Sequence, residues 1–319
     1  MSFKTIIALG LLILSSNAFE LDKNIRQPCA FASKPEDHKP WDGQILSNLP
    51  ENFSWGNVDG INYLSQTKNQ HIPKYCGSCW AQSTVSAMSD RIAVMRKGAF
   101  PQITIAPQVI LDYDLNDNGC HGGEPASAMD FIMKNGIVDE SCSQYRSEGH
   151  EEKGSNTQPI CQDCTPNSCS EITNHHTYTL ESHGNLPYDE QAIMSEIMAR
   201  GPVVCLVNSG PLTDETKYPF GFKGVFKSSD QGDINHAISV VGWGVTEDGT
   251  KYWNMRNSWG EYWADNGYIK VERGNNTVQI EKYCTYGVVK KTWDDEKYPV
   301  DHVTGAERSF TDKLKQQAV

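Results

Sequence analysis

The sequence predicts an α+β protein of two subdomains, a helical half followed by a β-rich half, with the functional cleft where they meet. Two observations carry this. A helical pattern opens on Cys79 and continues through Ala81, Val85, Met88, Ile92 and Met95 before Gly98 stops it, whereas the strand-like runs gather after residue 175. No internal repeat is evident.

Taken in order, residues 1–18 carry one lysine, an apolar run over 6–14 and the small-residue pattern Ser16-Asn17-Ala18, which reads as a secretory signal. No later stretch approaches the roughly 20 apolar residues that a membrane helix needs. Residues 19–48 are polar and proline-containing, without helical periodicity, and read as a short pro-segment. With 40 acidic against 28 basic residues the formal charge is −12, which argues against a nucleic-acid partner and suits a soluble protein.

The helix from Cys79 is expected to bury one face. Its first turn matters most: a sulfur there meets unpaired backbone N–H groups and the positive end of the helix dipole, both of which favour thiolate, the nucleophilic form. A strand or turn near 103–105 and a second helix over 107–115 complete the helical half. In the second half, strands are expected at 176–180, 203–207, 236–241, 252–256 and 268–271. One helix is expected over 188–200, ended by Gly201-Pro202.

The run Cys76-Gly-Ser-Cys-Trp80 resembles the nucleophile signature of the papain-like cysteine proteases. Residues 235–244, from Asn235-His236 to Gly242-Trp243-Gly244, resemble that family's histidine strand. Residues 252–260, with Asn257-Ser258-Trp259-Gly260, resemble its asparagine segment. The resemblance spans 49–289, leaving 290–319 as a charged C-terminal extension. It implies Cys79 as nucleophile, His236 as its acid–base partner, Asn257 orienting the imidazole, Trp259 screening that contact, and Gln70 with the Cys79 N–H stabilising the oxyanion. Gly122 and Gly123 resemble the glycines whose backbone pairs with substrate. His121 beside them replaces the acidic residue usual in the subfamily considered next.

Gln70 precedes Cys79 by nine residues where the family usually has six, and His71-Ile72-Pro73 accounts for the difference. This insert resembles the short loop of the cathepsin X (cathepsin Z) subfamily of carboxypeptidases. The resemblance implies that His71 pairs with the substrate's terminal carboxylate while the loop blocks longer chains, so that one residue leaves per cut. The adjacent pair His175-His176 offers a cathepsin B-like alternative, dipeptide release or endopeptidase action. A third reading is a non-catalytic secreted binding protein on a protease scaffold.

Ten cysteines in a secreted chain point to disulfides. The resemblance implies the pairs Cys76–Cys120, Cys205–Cys284 and Cys164–Cys169. Relatives carry two further cysteines, near Tyr113 and His150, that are absent here, which suggests that Cys142 and Cys161 bond to each other. Cys29 is then left facing Cys79; as in the subfamily's zymogen, such a bond would hold the enzyme inactive until reduction and cleavage. A free Cys29 in a disposable segment is the alternative. Cys161, Cys164 and Cys169 with His150, His175 and His176 also admit a zinc reading, which oxidation of secreted cysteines disfavours. No metal or cofactor is expected. Asn52 and Asn275 open glycosylation triplets. The partners expected are peptides or proteins with a free C-terminus, met by a monomer in the secretory pathway, in a lysosome or vacuole, or outside the cell.

Overall fold

The computed structural model describes residues 28–32, 39–153, 160–214 and 216–292. The expected leader and nearly all of the C-terminal extension lie outside the described residues.

Helix α1 (Cys79–Met95) is the axis of the molecule. Around it on one side stand α2 (Pro107–Tyr113), α3 (Pro125–Asn135) and the short α4 (His150–Lys153). On the other side is an eight-stranded sheet with α5 (Glu190–Arg200) packed on it. Its strands are β1 (Phe53–Ser54), β4 (Thr179–Asn185), β5 (Val203–Val207), β6 (Val225–Phe226), β7 (His236–Val245), β8 (Lys251–Arg256), β9 (Tyr268–Glu272) and β10 (Cys284–Lys290). They run in the order β4-β10-β5-β7-β8-β9-β6, with β1 added on β7. All pairings are antiparallel except β6 with β9. A separate hairpin pairs β2 (Gln162–Cys164) with β3 (Cys169–Glu171).

Several expectations need correction. Helix α1 buries far more than one face: its residues from Cys79 through Ala93 are all buried, Gln82, Ser86 and Ser89 included. It lies between α2 and α3 on one side and β7 on the other, so only its last turn, at Met95, reaches water. Its hydroxyls are satisfied inward, Ser83 donating to the Cys79 carbonyl at 2.8 Å and Ser89 to that of Val85 at 2.7 Å. The strand expected at 176–180 begins only at Thr179 and runs to Asn185, because its partner β10 aligns with Thr179 to Asn185. Strand β10 and helix α3 went unread. The helix signal was present, with Pro125 at the first turn and Gly136 at φ 73° just past the end.

Two buried ion pairs from consecutive residues of α1 fasten the halves together. Asp90 meets Arg256 of β8 at 2.5 Å, and Arg91 meets Glu196 of α5 at 2.8 Å, all four side chains being nearly inaccessible. Asp90 also accepts from the Ser65 N–H and hydroxyl, and Arg91 donates to the carbonyls of Gly201, Pro202 and Gly287. These added bonds offset the desolvation that makes bare buried pairs unfavourable. Burial pushes the Asp90 carboxyl up, and Arg256 opposes that.

Candidate active site

Cys79 is the first residue of α1, and the preceding Ser78 makes no side-chain cap to the helix. Its hydroxyl meets the Tyr145 phenol at 2.7 Å instead. The helix N-terminus therefore faces the cleft without a side-chain cap.

His236 opens β7 and is 1% exposed. Its Nε2 lies 2.8 Å from Asn257 Oδ1, which fixes the ring with Nδ1 toward the sulfurs. The Trp259 ring covers it at a centroid distance of 4.9 Å. Gln70 is buried: Ser258 donates to its Oε1 at 2.7 Å, and its Nε2 donates to the Cys76 carbonyl at 3.1 Å while lying 3.9 Å from Cys29 Sγ. With its oxygen engaged by Ser258, the amide presents N–H to the space beside the nucleophile. Ser258, adjacent to Asn257, was not read from sequence, although it stands within the segment that carries the resemblance.

Cys79 is bonded to Cys29. The Cys29 sulfur is 3.3 Å from His236 Nδ1, and both sulfurs and an imidazole nitrogen lie within 4.8 Å of one another. The chain around Cys29 runs over the ledge at Gly122 and Gly123. Cys29 N–H donates to the Asn235 carbonyl at 2.9 Å, Phe31 N–H to Gly123 O at 3.2 Å, and Gly123 N–H to Cys29 O at 3.4 Å, with Ala30 and Gly123 bridged in parallel. Close approach is what these glycines allow: a Cβ at Gly122 would sit 2.8 Å from the Phe31 ring, and one at Gly123 2.5 Å from Trp80.

The other disulfides are Cys76–Cys120, Cys142–Cys161, Cys164–Cys169 and Cys205–Cys284, so the sulfurs of the zinc reading are bonded in pairs. Asn52 and Asn275 are exposed, Asn52 accepting from the Val245 N–H at 2.9 Å.

His71 lines the same cleft, beside two other rings. Its ring stacks on Tyr75 (5.1 Å, 15°) and lies nearly parallel to Trp259 (6.3 Å, 24°). His71, Tyr75, Gln70, Cys29, His236 and Trp259 all line one cleft. His175 and His176 do not line it; His176 packs on Tyr178 and meets Thr292 at 3.4 Å.

Beneath the Gly123 ledge, Asp114 and Asp117 lie against each other, and each has one carboxyl oxygen with no donor among the described residues. Burial pushes Asp117 up to about 7, with Asp114 adding to the effect and Ser127 and the Glu124 N–H opposing it. Burial raises Asp114 as well, opposed chiefly by the hydrogen bond from the Asn116 N–H.

Comparison with known proteins agrees with this arrangement. Cathepsin Z of Onchocerca volvulus is 35% identical over 239 residues, 75% of each chain. The cysteine endopeptidase RepA of Oryza sativa subsp. japonica is 33% identical over 237 residues, 73% of this chain and 54% of its own length, so this chain spans about half of that relative. Among solved structures, proCathepsin B S9 from Trypanosoma congolense matches with a TM-score of 0.65 at 27% identity, covering 83% of this chain and 87% of that one. The profile described as "Papain family cysteine protease" matches residues 49–288. A cysteine at a helix N-terminus, an imidazole held by an asparagine across the cleft, and this match over most of the sequence place the chain in the papain family of cysteine proteases.

Proposed function

We propose that this cysteine peptidase is a carboxypeptidase that releases single residues from peptide C-termini, and that the Cys29–Cys79 bond keeps it latent. The observation that supports the specificity is the placement of His71, whose ring lines the cleft close to the rings of Tyr75 and Trp259. Imidazole takes up a proton in the acidic range and then offers a charged donor to a carboxylate. The insert that carries it closes one end of the cleft, so only a chain ending there fits.

Latency follows from the covalent state, since a sulfur in a disulfide cannot attack a carbonyl. A reducing thiol takes Cys29 by exchange and leaves Cys79 as thiolate. The thiolate then adds to the carbonyl of the last peptide bond. The oxyanion meets the Gln70 amide and the Cys79 N–H, each such donor being worth about 2.7–4 kcal/mol. The C–N bond breaks as His236 gives its proton to the departing amine, leaving a thioester. Water, deprotonated by His236, hydrolyses the thioester and restores the thiolate. Gly122 and Gly123 hold the substrate main chain, and Asn257 holds His236 through both halves of the cycle.

Five disulfides suit an oxidising compartment, in keeping with passage through the secretory pathway. Among the described residues no helix is long and apolar enough to cross a membrane. The substrates are peptides, and we assign the working site to an acidic vacuole or lysosome, a range in which imidazole takes up a proton.

The test is His71→Ala assayed on one peptide in free-acid and C-terminally amidated forms. Losing a charged hydrogen bond of about 1.5–3 kcal/mol lowers kcat/KM on the free acid about tenfold to a hundredfold and spares the amide. Equal losses on both would overturn the carboxylate role.

A further inference from the structure

Ser147 is fully buried, yet its backbone sits at φ 55°, a left-handed conformation that a non-glycine residue adopts at a cost. Its hydroxyl donates to the Ile72 carbonyl at 2.8 Å, inside the insert that carries His71. Two residues earlier, the Tyr145 hydroxyl donates to the Gln70 carbonyl at 2.7 Å and holds the Ser78 hydroxyl away from the helix N-terminus. Burial raises the Tyr145 phenol, so it stays a donor throughout the acidic and neutral range. Residues 145–148 thus touch the insert, the oxyanion glutamine and the residue before the nucleophile.

This segment is itself anchored. The Arg146 N–H donates to Gln108 Oε1 at 2.8 Å, Gln108 Nε2 donates to the Glu148 carbonyl at 2.7 Å, and the Arg146 guanidinium pairs with Asp112. Gln108 and Asp112 are buried on α2. The Cys142–Cys161 disulfide ties the chain just before it, and Glu148 meets Lys74, the residue after the insert, at 3.8 Å.

We infer that Ser147 and Tyr145 are positioning residues with separable tasks: Ser147 sets the Ile72 carbonyl and with it the His71 ring, while Tyr145 sets the Gln70 main chain and with it the oxyanion amide. Ser147 therefore governs recognition of the peptide end, and Tyr145 governs the chemical step. This rests on the carboxypeptidase reading above. The hydroxyl is what the strained serine contributes; a residue filling space alone would gain from glycine at that φ.

The experiment compares wild type, Ser147→Ala, Ser147→Gly and Tyr145→Phe on the free-acid and amidated peptides. Loss of one neutral hydrogen bond predicts that the free-acid to amide ratio of kcat/KM falls about threefold to tenfold in both serine variants, through KM. Glycine relieves the strain but lacks the hydroxyl, so it separates the two and supplies a folded variant if alanine fails. Tyr145→Phe lowers kcat on both peptides and leaves their ratio at the wild-type value. A high wild-type ratio retained in Ser147→Gly overturns this inference alone. A wild-type ratio near one overturns the carboxypeptidase reading, and this inference with it.

Discussion

On the proposed reading, the two ends of the cleft recognise chain by different means. At the Gly123 end, the hydrogen bonds that Cys29 and Phe31 exchange with Gly123 are main chain to main chain. At the His71 end the lining is side chains, with imidazole, phenol and indole rings face to face. Backbone bonds are indifferent to sequence, so on that reading the Gly123 end would hold a substrate main chain as readily as it holds Cys29 to Phe31. We therefore assign discrimination to the rings and latency to the covalent bond, because non-covalent pairing alone would leave the ledge open to exchange.

The largest effect should come from removing the covalent term at the Gly123 end. Cys29→Ser should convert a precursor silent without reductant into one that reacts directly with an epoxide thiol probe. A variant that stays as silent as wild type would show that backbone pairing alone suffices. Next is the clamp that holds both ends in one frame. Arg256→Met leaves Asp90 buried without its partner and should cost about 3–5 kcal/mol of stability. Chemical denaturation checks this, and a loss under about 1 kcal/mol would show that the halves are held by packing alone.

A smaller effect should separate the ends by pH. Asp117 titrates at about 7 when folded, against 3.8 for an ordinary aspartate, so the folded chain binds more protons than the unfolded one between those values. The stability linked to this proton is complete below 3.8 and is lost as pH rises through about 7. Asp117→Asn should flatten the fall in melting temperature between about pH 5 and about pH 7.5, and stabilise the protein at the upper end. An unchanged slope would remove the Asp114–Asp117 pair as its source.

Much of the fold and site was legible because the chemistry is local. The nucleophile, its helix and the insert lie within one short stretch, β5 and β7 are largely apolar runs, and β8 and β9 alternate apolar with polar residues. Strand β4 was displaced because its second half, Glu181-Ser182-His183, is polar and declares itself only through pairing with β10. The brace at Tyr145 and Ser147 lies 75 residues from the groups it holds, in a segment that reads as polar loop. Nothing in the pattern of α1 announced that Asp90 and Arg91 would be buried, since their partners stand 166 and 105 residues away.

The central claim, that one end of the cleft reads a terminal carboxylate and admits a single residue beyond the cut, is tested most directly by product masses. A defined peptide with a free C-terminus is incubated with the reduced, processed enzyme at acidic pH and followed over time. The account predicts a ladder shortening by one residue per step from the C-terminus. Release of dipeptides, or internal fragments before any terminal residue appears, would contradict it.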